Sequence, residues 1–396
     1  MLEFAAVGLL FIIGFFAVYG LYFLSVFCRN KSNSKFQKDI LDTQELKGEF
    51  EDVSVIVSTY NEAEVIERKL DNISDLSYPK EKIEVLVIDD ASTDKTSELA
   101  KRKIVEKNLF GRVIRNKIRL GLNRSLNMAI KEAKHDLVCV TDSDVMLEKS
   151  SLQNAICVLR RFKEAGGVTG KIQPVFNGEG VAQQTESFYR KFYDKAMSSE
   201  SAIHSAFPGN GPLIVFDKTK VKSVIPADYG SSDGNIAINI IKSGLRFIYV
   251  PNAIIFEPVP ENLKQQKLQK VRRAQRLIQV FLNNRDIFLN KKFAGFGTRI
   301  FPLKFLMLIV CPMLGLAGLA LTIGAILLSQ SIILYEISLI SIAAFALLLL
   351  LNKSFRDGFS SFVFHQIYLV LGLGLSLRKS KYWKTIDREP QISLEK

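Results

Sequence analysis

Three short stretches concentrate oxygen-bearing side chains that could serve one reaction centre: Ser58-Thr59-Tyr60-Asn61-Glu62, Asp89-Asp90-Ala91-Ser92 and Thr141-Asp142-Ser143-Asp144. Acidic clusters brought to one edge repel one another and raise some carboxyl pKa values unless a cation or hydrogen-bond donors compensate. Asp-x-Asp supplies hard oxygen ligands of the kind magnesium or manganese prefers. Such an ion takes one or two protein carboxylates and completes its shell with substrate phosphates and water. Any single cluster also has a plainer reading as a helix N-cap, and Ser92 or Thr93 is expected to cap a helix beginning at Thr96. The weight therefore rests on whether all three clusters end strands of one sheet.

The flanking sequence predicts that they do. Short β-branched runs at Val53–Ser58, Ile83–Ile88, Val113–Arg115, Leu137–Thr141 and Val168–Gly170 read as strands. Helical periodicity fills the gaps at Ala63–Leu70, Asp94–Glu106, Asn123–Ala133 and Ser151–Phe162. Near-continuous apolar strands such as Val85-Leu86-Val87-Ile88 suit a parallel sheet covered on both faces, so the order implies a doubly wound α/β architecture. Open sheets of this kind bind ligands beyond the carboxyl ends of their strands, where the acidic clusters fall.

The composition places this domain beside a membrane. The 396 residues are 48% hydrophobic and 23% charged, with formal net charge +13, which excludes a disordered chain. The four cysteines, Cys28, Cys139, Cys157 and Cys311, are too scattered for a zinc ribbon or a redox pair, and a reduced, cytoplasm-facing domain is expected. Phe4–Cys28 carries no charge and is followed by Arg29, Lys31, Lys35 and Lys38, the pattern of an uncleaved anchor with its N-terminus outside the cell membrane. Two further spans are expected at Pro302–Leu328 and Ile332–Leu351, separated by Ser329-Gln330-Ser331. A fourth apolar run, Gly358–Leu377, spans, re-enters or lies at the interface. Arg378, Lys379, Lys381 and Lys384 beyond it oppose simple spanning, while Tyr382 and Trp383 read as an interface anchor. The expected organisation is a membrane helix over 1–28, a linker over 29–50, a catalytic domain over 51–283, an interfacial amphipathic linker over 284–301, a membrane region over 302–377 and a basic tail over 378–396.

On these motifs the chain resembles the family-2 glycosyltransferases, and more narrowly the membrane-embedded branch of hyaluronan, chitin, cellulose and poly-N-acetylglucosamine synthases. The resemblance implies an α/β, GT-A (Rossmann-like, mostly parallel sheet) catalytic domain, one N-terminal and two to three C-terminal transmembrane helices, and interfacial amphipathic helices. Pro208-Gly209-Asn210-Gly211-Pro212-Leu213 resembles the acceptor-side loop of those synthases. Ser231-Ser232-Asp233-Gly234 matches the place of the catalytic carboxylate, and Gln269-Lys270-Val271-Arg272-Arg273 resembles their QxxRW motif with arginine in the tryptophan position. Taken singly, these are also a turn, a helix N-terminal charge and a basic helix on a membrane. Two departures stand out: the tryptophan that helps hold an acceptor sugar is absent, and so is the lysine of a Gly-Lys pair, where Gly121-Leu122 stands and Lys117, Arg119 or Arg124 would substitute.

The resemblance implies an inverting transfer from a nucleotide-diphosphate sugar, UDP-linked by expectation, to a glycan or glycolipid hydroxyl. Asp142 and Asp144 would handle Mg2+ or Mn2+ and the sugar nucleotide, with Asp144 the firmer metal ligand. Asp233 would act as base, Arg272 within the Gln269 motif would neutralise the departing diphosphate, and Thr59, Glu62 and Asp89 would hold the nucleoside. Rival readings are a polyprenyl-phosphate sugar synthase loading one sugar onto a lipid carrier, a nucleotidyltransferase, or a non-catalytic nucleotide-sugar-binding membrane subunit. The nucleotidyltransferase lacks support because no glycine-rich, arginine-bearing phosphate loop follows the first strand. Membrane lipids are expected partners of the basic segments and nucleic acid is not. With so few spans per copy, the chain either forms a homo-oligomer or needs no translocation channel.

Overall fold

β-Branched runs become the sheet. Val53–Thr59 (β1), Ile83–Asp89 (β2), Gly111–Arg115 (β3), Leu137–Asp142 (β4), Met146–Leu147 (β5), Ala165–Val175 (β6), Ile214–Asp217 (β7) and Arg246–Pro258 (β8) form one eight-stranded sheet among the described residues, in the order β3-β2-β1-β4-β7-β6-β8-β5. The structure is a computed structural model that describes residues 2–27, 30–41, 50–176, 181–221, 225–259, 263–329 and 331–376. Cys28, Arg29, Gln330, Leu377 and the tail with Tyr382 and Trp383 lie outside the described residues. β1 runs parallel to β2 and β4, β2 to β3, and β6 to β8, whereas β7 is antiparallel between β4 and β6 and β5 antiparallel on β8. The sheet is thus mostly parallel, as expected.

The helices, in chain order, are Leu2–Phe27 (α1), Asn30–Leu41 (α2), Ile66–Ser74 (α3), Thr96–Glu106 (α4), Leu122–Glu132 (α5), Ser151–Arg161 (α6) and Val181–Ile203 (α7). Ser232–Lys242 (α8), Leu263–Asn283 (α9), Phe301–Phe305 (α10), Cys311–Ser329 (α11), Ile332–Leu351 (α12) and Lys353–Ser376 (α13) follow. By its internal contacts the chain divides into two units. One is built on Asn30–Gly178 and Phe192–Gln266, the other on Met1–Arg29, Glu179–Lys191 and Lys267–Arg378.

In the first unit the expected strands and helices are present, and several elements go beyond them. β6 extends well past Val168–Gly170, because its glycines answer a close approach: a Cβ on Gly170 would sit 2.4 Å from the Ala253 carbonyl. β8 was hidden by Pro251-Asn252, which reads as a turn. Its pairing with β6 jumps from Gly170↔Val250 to Lys171↔Ile254, a bulge that absorbs the proline without breaking the strand. α2 lies within the stretch expected as linker. It packs Ile40 into the sheet core and sets Phe36 against Phe162, the rings tilted with centroids 5.2 Å apart. The cap of α4 also differs from expectation. Ser92 turns its hydroxyl to Asp89, and Asp94 Oδ1 accepts from the Thr96 N–H at 3.0 Å instead.

In the second unit, Glu3–Phe27, Phe296–Ser329 and Lys353–Ser376 are long and apolar enough to cross a membrane, and Tyr335–Leu351 is a shorter apolar helix. α1 and α11 approach closely at small residues. A Cβ on Gly318 would lie 3.0 Å from the Gly8 carbonyl, the small-residue contact by which helices pack where hydrophobic association gives no drive. Gly372 on α13 has the same use, since a Cβ there would meet Ala274 of α9 at 2.8 Å. The 284–301 stretch is a series of short 3₁₀ and π turns, and the Phe281 and Phe301 rings at its ends lie 4.9 Å apart.

One ion network ties α7 to α9. Glu186, almost fully buried, receives Arg190 Nε at 2.8 Å and Lys270 Nζ at 2.5 Å. Burial pushes the carboxyl pKa up, but Arg190, Lys270 and Arg273 outweigh it and hold the group at about 2. A depressed folded pKa contributes stability above the unfolded value near 4.5, and that stability is lost as pH falls toward 2. Glu186→Gln strands two cations and is expected to cost about 3–5 kcal/mol at pH 7. Thermal unfolding in detergent should show a lowered midpoint, with the gap to wild type closing between about pH 4.5 and pH 2; an unchanged midpoint at pH 7 refutes the assignment.

Candidate active site

Strand register brings the three acidic clusters to one edge. Thr59 at the end of β1 is paired with Asp89 of β2, and Ser58 with Asp142 of β4. The first two clusters interlock beyond the strands. Asn61 donates its N–H to Ser92 Oγ at 2.9 Å and accepts from the Thr93 N–H at 2.8 Å, while the Glu62 N–H donates to Thr96 Oγ1 at 2.8 Å. The Glu62 carbonyl then accepts from the Val65 and Ile66 N–H groups, which starts α3. Asn61 and Ala91 hold positive φ values of 55° and 64°, and for alanine that conformation costs about 1–2 kcal/mol. These cross-links maintain the strained backbone. Thr59 Oγ1 is buried without a hydrogen-bond partner in the structure, an unmet hydroxyl at the strand end.

The two aspartates of the second cluster divide their work. Asp89, expected at the nucleoside, is completely buried. Its Oδ1 accepts from the Ser92 N–H at 2.9 Å and the Ser92 hydroxyl at 2.5 Å, its Oδ2 accepts from the Ser97 hydroxyl, and Arg115 Nε lies 3.6 Å away. It thereby staples the β2–α4 loop. Asp90, which the motif contains but the sequence reading did not single out, organises the next loop. It accepts from the Leu120 N–H at 2.7 Å, the Gly121 N–H at 2.8 Å, Asn116 Nδ2 at 2.9 Å and Ser125 Oγ at 3.0 Å. Gly121, at φ 88°, makes the turn that aims these N–H groups, and the carboxylate stands at the positive end of α5.

Of the three cations considered as substitutes for the absent lysine, Arg119 stacks over the Tyr60 ring at 3.7 Å. Arg124 pairs with Asp228 at 3.0 Å, and Lys117 is exposed.

Asp142, the last residue of β4, and Asp144, two positions on, are both half-buried. No group of three or more His, Cys, Asp or Glu side chains poised for a metal occurs among the described residues. Two hard carboxylates two positions apart fit an ion that draws the rest of its shell from phosphate and water. Behind them lies a residue that sequence reasoning missed. Lys69 is fully buried, and its Nζ donates to Thr141 Oγ1 at 2.8 Å and to the Val145 carbonyl at 3.0 Å. Burial lowers the ammonium's pKa to about 8, against the opposing fields of Cys139, Asp142 and Asp144. The available signal was a lysine on the apolar face Ile66, Leu70 and Ile73 of α3.

Asp233 occupies the first turn of α8, where Ser231 caps the helix and Asp233 Oδ1 accepts from the Gly234 N–H at 2.7 Å. The Pro208–Leu213 loop reaches it: a Cβ on Gly211 would lie 3.8 Å from the Asp233 carboxylate. Asn210 anchors that loop to β6 through the Gly170 carbonyl at 2.7 Å and Thr169 Oγ1 at 2.8 Å. The segment leading into α8 is held by α5. Asn127 exchanges two hydrogen bonds with the Ile225 backbone at 2.7 and 2.9 Å, and Asn123 donates to the Pro226 carbonyl at 2.8 Å. Thr59, Glu62, Asp89, Asp142 and Asp144 are thus gathered at one sheet edge, with Asp233 supported through α5 in the same unit. Gln269 and Arg272 lie on α9 in the other unit.

Comparison with known proteins agrees with this geometry. Residues 54–213 match glycosyl transferase family 2, and residues 137–355 match glycosyl transferase family group 2. The chain is 30% identical over 284 residues to poly-beta-1,6-N-acetyl-D-glucosamine synthase of Staphylococcus aureus, a match covering 71% of this chain and 65% of that protein. It is also 30% identical over 251 residues to the probable glycosyltransferase YdaM of Bacillus subtilis, across 61% of this chain and 58% of that one. Among solved structures, a mannosyltransferase from Pyrobaculum calidifontis in complex with GDP-Man and Mn2+ superposes with a TM-score of 0.71 at 25% identity, covering 94% of this chain and 99% of that one. With matched residues extending from the acidic strand ends into the apolar helices, the chain belongs to glycosyl transferase family group 2.

Proposed function

We propose that the chain transfers a sugar from a nucleotide-diphosphate donor, UDP-linked by preference, to a hydroxyl of a glycan or glycolipid, with inversion and with Mg2+ or Mn2+ as cofactor. The observation that carries this reading is the convergence of the three acidic strand ends, with the β1 cluster between those of β2 and β4 and Asp233 set beside the glycine loop at Gly211. The relatives support a nucleotide-sugar donor: the synthase is named for its N-acetylglucosamine polymer product, and the structural neighbour is in complex with a GDP-linked sugar.

Asp142 and Asp144 would hold the ion, which supplies charge to stabilise the departing diphosphate. Asp233 takes the proton of the acceptor hydroxyl as that oxygen attacks the anomeric carbon from the face opposite the leaving group. Base catalysis of this type contributes about 10²–10⁴-fold. Thr59 and the interlocked Asn61–Thr93 turn shape the nucleoside side, and Asp89 keeps that turn in place. Arg272 and Gln269 are assigned to the diphosphate on their motif alone. The catalytic unit is assigned to the cytoplasm, with the N-terminus of α1 outside, because basic residues follow the anchor and border the later spans.

A screen of UDP- and GDP-sugars for diphosphate release, run with Mg2+, Mn2+ and EDTA, tests the reaction. One donor is expected to turn over and EDTA to abolish release; full activity in EDTA removes the metal from the reading. Asp233→Asn should lower kcat by about 10²–10⁴-fold with little change in donor KM. Full activity in that variant points instead to an acceptor already ionised, such as a lipid phosphate. For the orientation, protease added to sealed right-side-out vesicles should spare the catalytic unit, and cleavage between α8 and α9 from the outside overturns the assignment.

A further inference from the structure

The one buried cation behind the candidate metal ligands that the structure describes in hydrogen-bonding detail, Lys69, has no part in the chemistry above. Its two hydrogen bonds fall on Thr141 and Val145, the residues immediately before and after Asp142-Ser143-Asp144. Three positions along the same helix, Asn72 donates to the Leu147 carbonyl at 2.8 Å and accepts from the Leu147 N–H at 2.8 Å. One face of α3 therefore grips the whole 141–147 turn.

Gripping alone does not call for a charge, because Asn72 does it with a neutral amide. Desolvating an ammonium costs several kcal/mol, so its presence calls for a compensating negative potential. The fields of Asp142 and Asp144 act on Lys69 in that sense. Coulomb interaction is mutual, and the ammonium reduces the negative potential that the two carboxylates offer to any cation in front of them.

We propose that Lys69 is the resident counter-ion of the Asp142–Asp144 pair, keeping the pair's affinity for a bare divalent cation low so that the ion binds together with the nucleotide diphosphate. The proposal rests on the metal-dependent reading above. With a cation already behind the pair, a second positive charge is poorly held until the anionic diphosphate supplies its oxygens and its charge. Binding of ion and diphosphate is then mutually reinforcing, as linkage requires. An empty site consequently stays free of metal between donors, and Lys69 acts as a positioning and charge-setting residue without touching the substrate.

The test is Mn2+ binding to the full chain in detergent, read from the electron paramagnetic resonance of free Mn2+, with and without UDP or GDP. For the wild type, one of these diphosphates is expected to tighten Mn2+ binding by about tenfold or more. Lys69→Gln keeps a donor and loses the charge. It should bind bare Mn2+ about tenfold more tightly, with a smaller gain from the diphosphate. A Lys69→Gln protein that melts within a few degrees of wild type yet binds bare Mn2+ no more tightly overturns the proposal and leaves the metal-dependent reading intact. If the variant does not fold, Lys69→Met, neutral and of similar length, takes its place with the same two outcomes. Absence of Mn2+ binding under every condition removes both the metal-dependent reading and this proposal.

Discussion

The carboxylate of Asp90 is the interaction on which the catalytic unit's geometry depends. Two backbone N–H groups from Leu120 and Gly121 and two side chains, Asn116 and Ser125, converge on it. Charge-assisted hydrogen bonds of this kind are about twice as strong as neutral ones, and here they close the loop between β3 and α5. Because α5 starts at that loop, its direction is set by Asp90. The same helix holds the Ile225–Gly230 segment through Asn127 and Asn123. A path of hydrogen bonds therefore runs from the end of β2, through one helix, to the turn that presents Asp233. Asp90 after β2 and Asp233 at the start of α8 are thereby joined through one helix.

The site is held by opposed charges as much as by packing. Converging carboxylates would push the strand ends apart, and each is answered differently. Asp89 is answered by hydroxyls and Arg115, Asp90 by backbone N–H groups, and the Asp142–Asp144 turn by Lys69 behind it. Only the last pair is backed by a buried lysine of α3, and on the reading proposed above it is also the pair that would meet a metal and a diphosphate. The chemistry and the stability of this edge thus draw on the same electrostatic balance.

Much of this arrangement was legible from the chain. β1, β2 and β4 announce themselves because nearly every residue is buried, so the runs are mostly apolar, broken only by Ser54 and Glu84 near their starts, and the polar cluster marks each end. The acidic motifs could be read because each ends a strand, and parallel pairing with one register brings such ends together. Elements whose signal depends on a partner were harder to see. β8 contains a proline that only the bulge opposite Gly170 makes tolerable. α2, an otherwise polar helix, turns just Phe36 and Ile40, one turn apart, toward the core, with Leu41 left exposed. Lys69 looks like a surface lysine until Thr141 and Val145, more than seventy positions away, are placed over it. Local pattern carries an element's type, but a buried charge is defined by what the fold later lays across it.

The division of roles between Asp89 and Asp90 follows from strand geometry. Consecutive residues of a strand point to opposite faces, so two adjacent aspartates at a strand end cannot serve one ligand in the same way. Asp89, the last residue of β2, points into the layer that contains α4 and is consumed there by Ser92 and Ser97. Asp90, one residue past the ladder, turns to the other side and meets α5. A sequence reading that assigns both to a shared motif has no means of separating them, whereas the alternation of the pleat does so directly. For Asp142 and Asp144 the pleat does not decide: Asp142 is the last residue of β4 and Asp144 lies in the turn after it, so their relative placement is set by the turn that Lys69 and Asn72 hold.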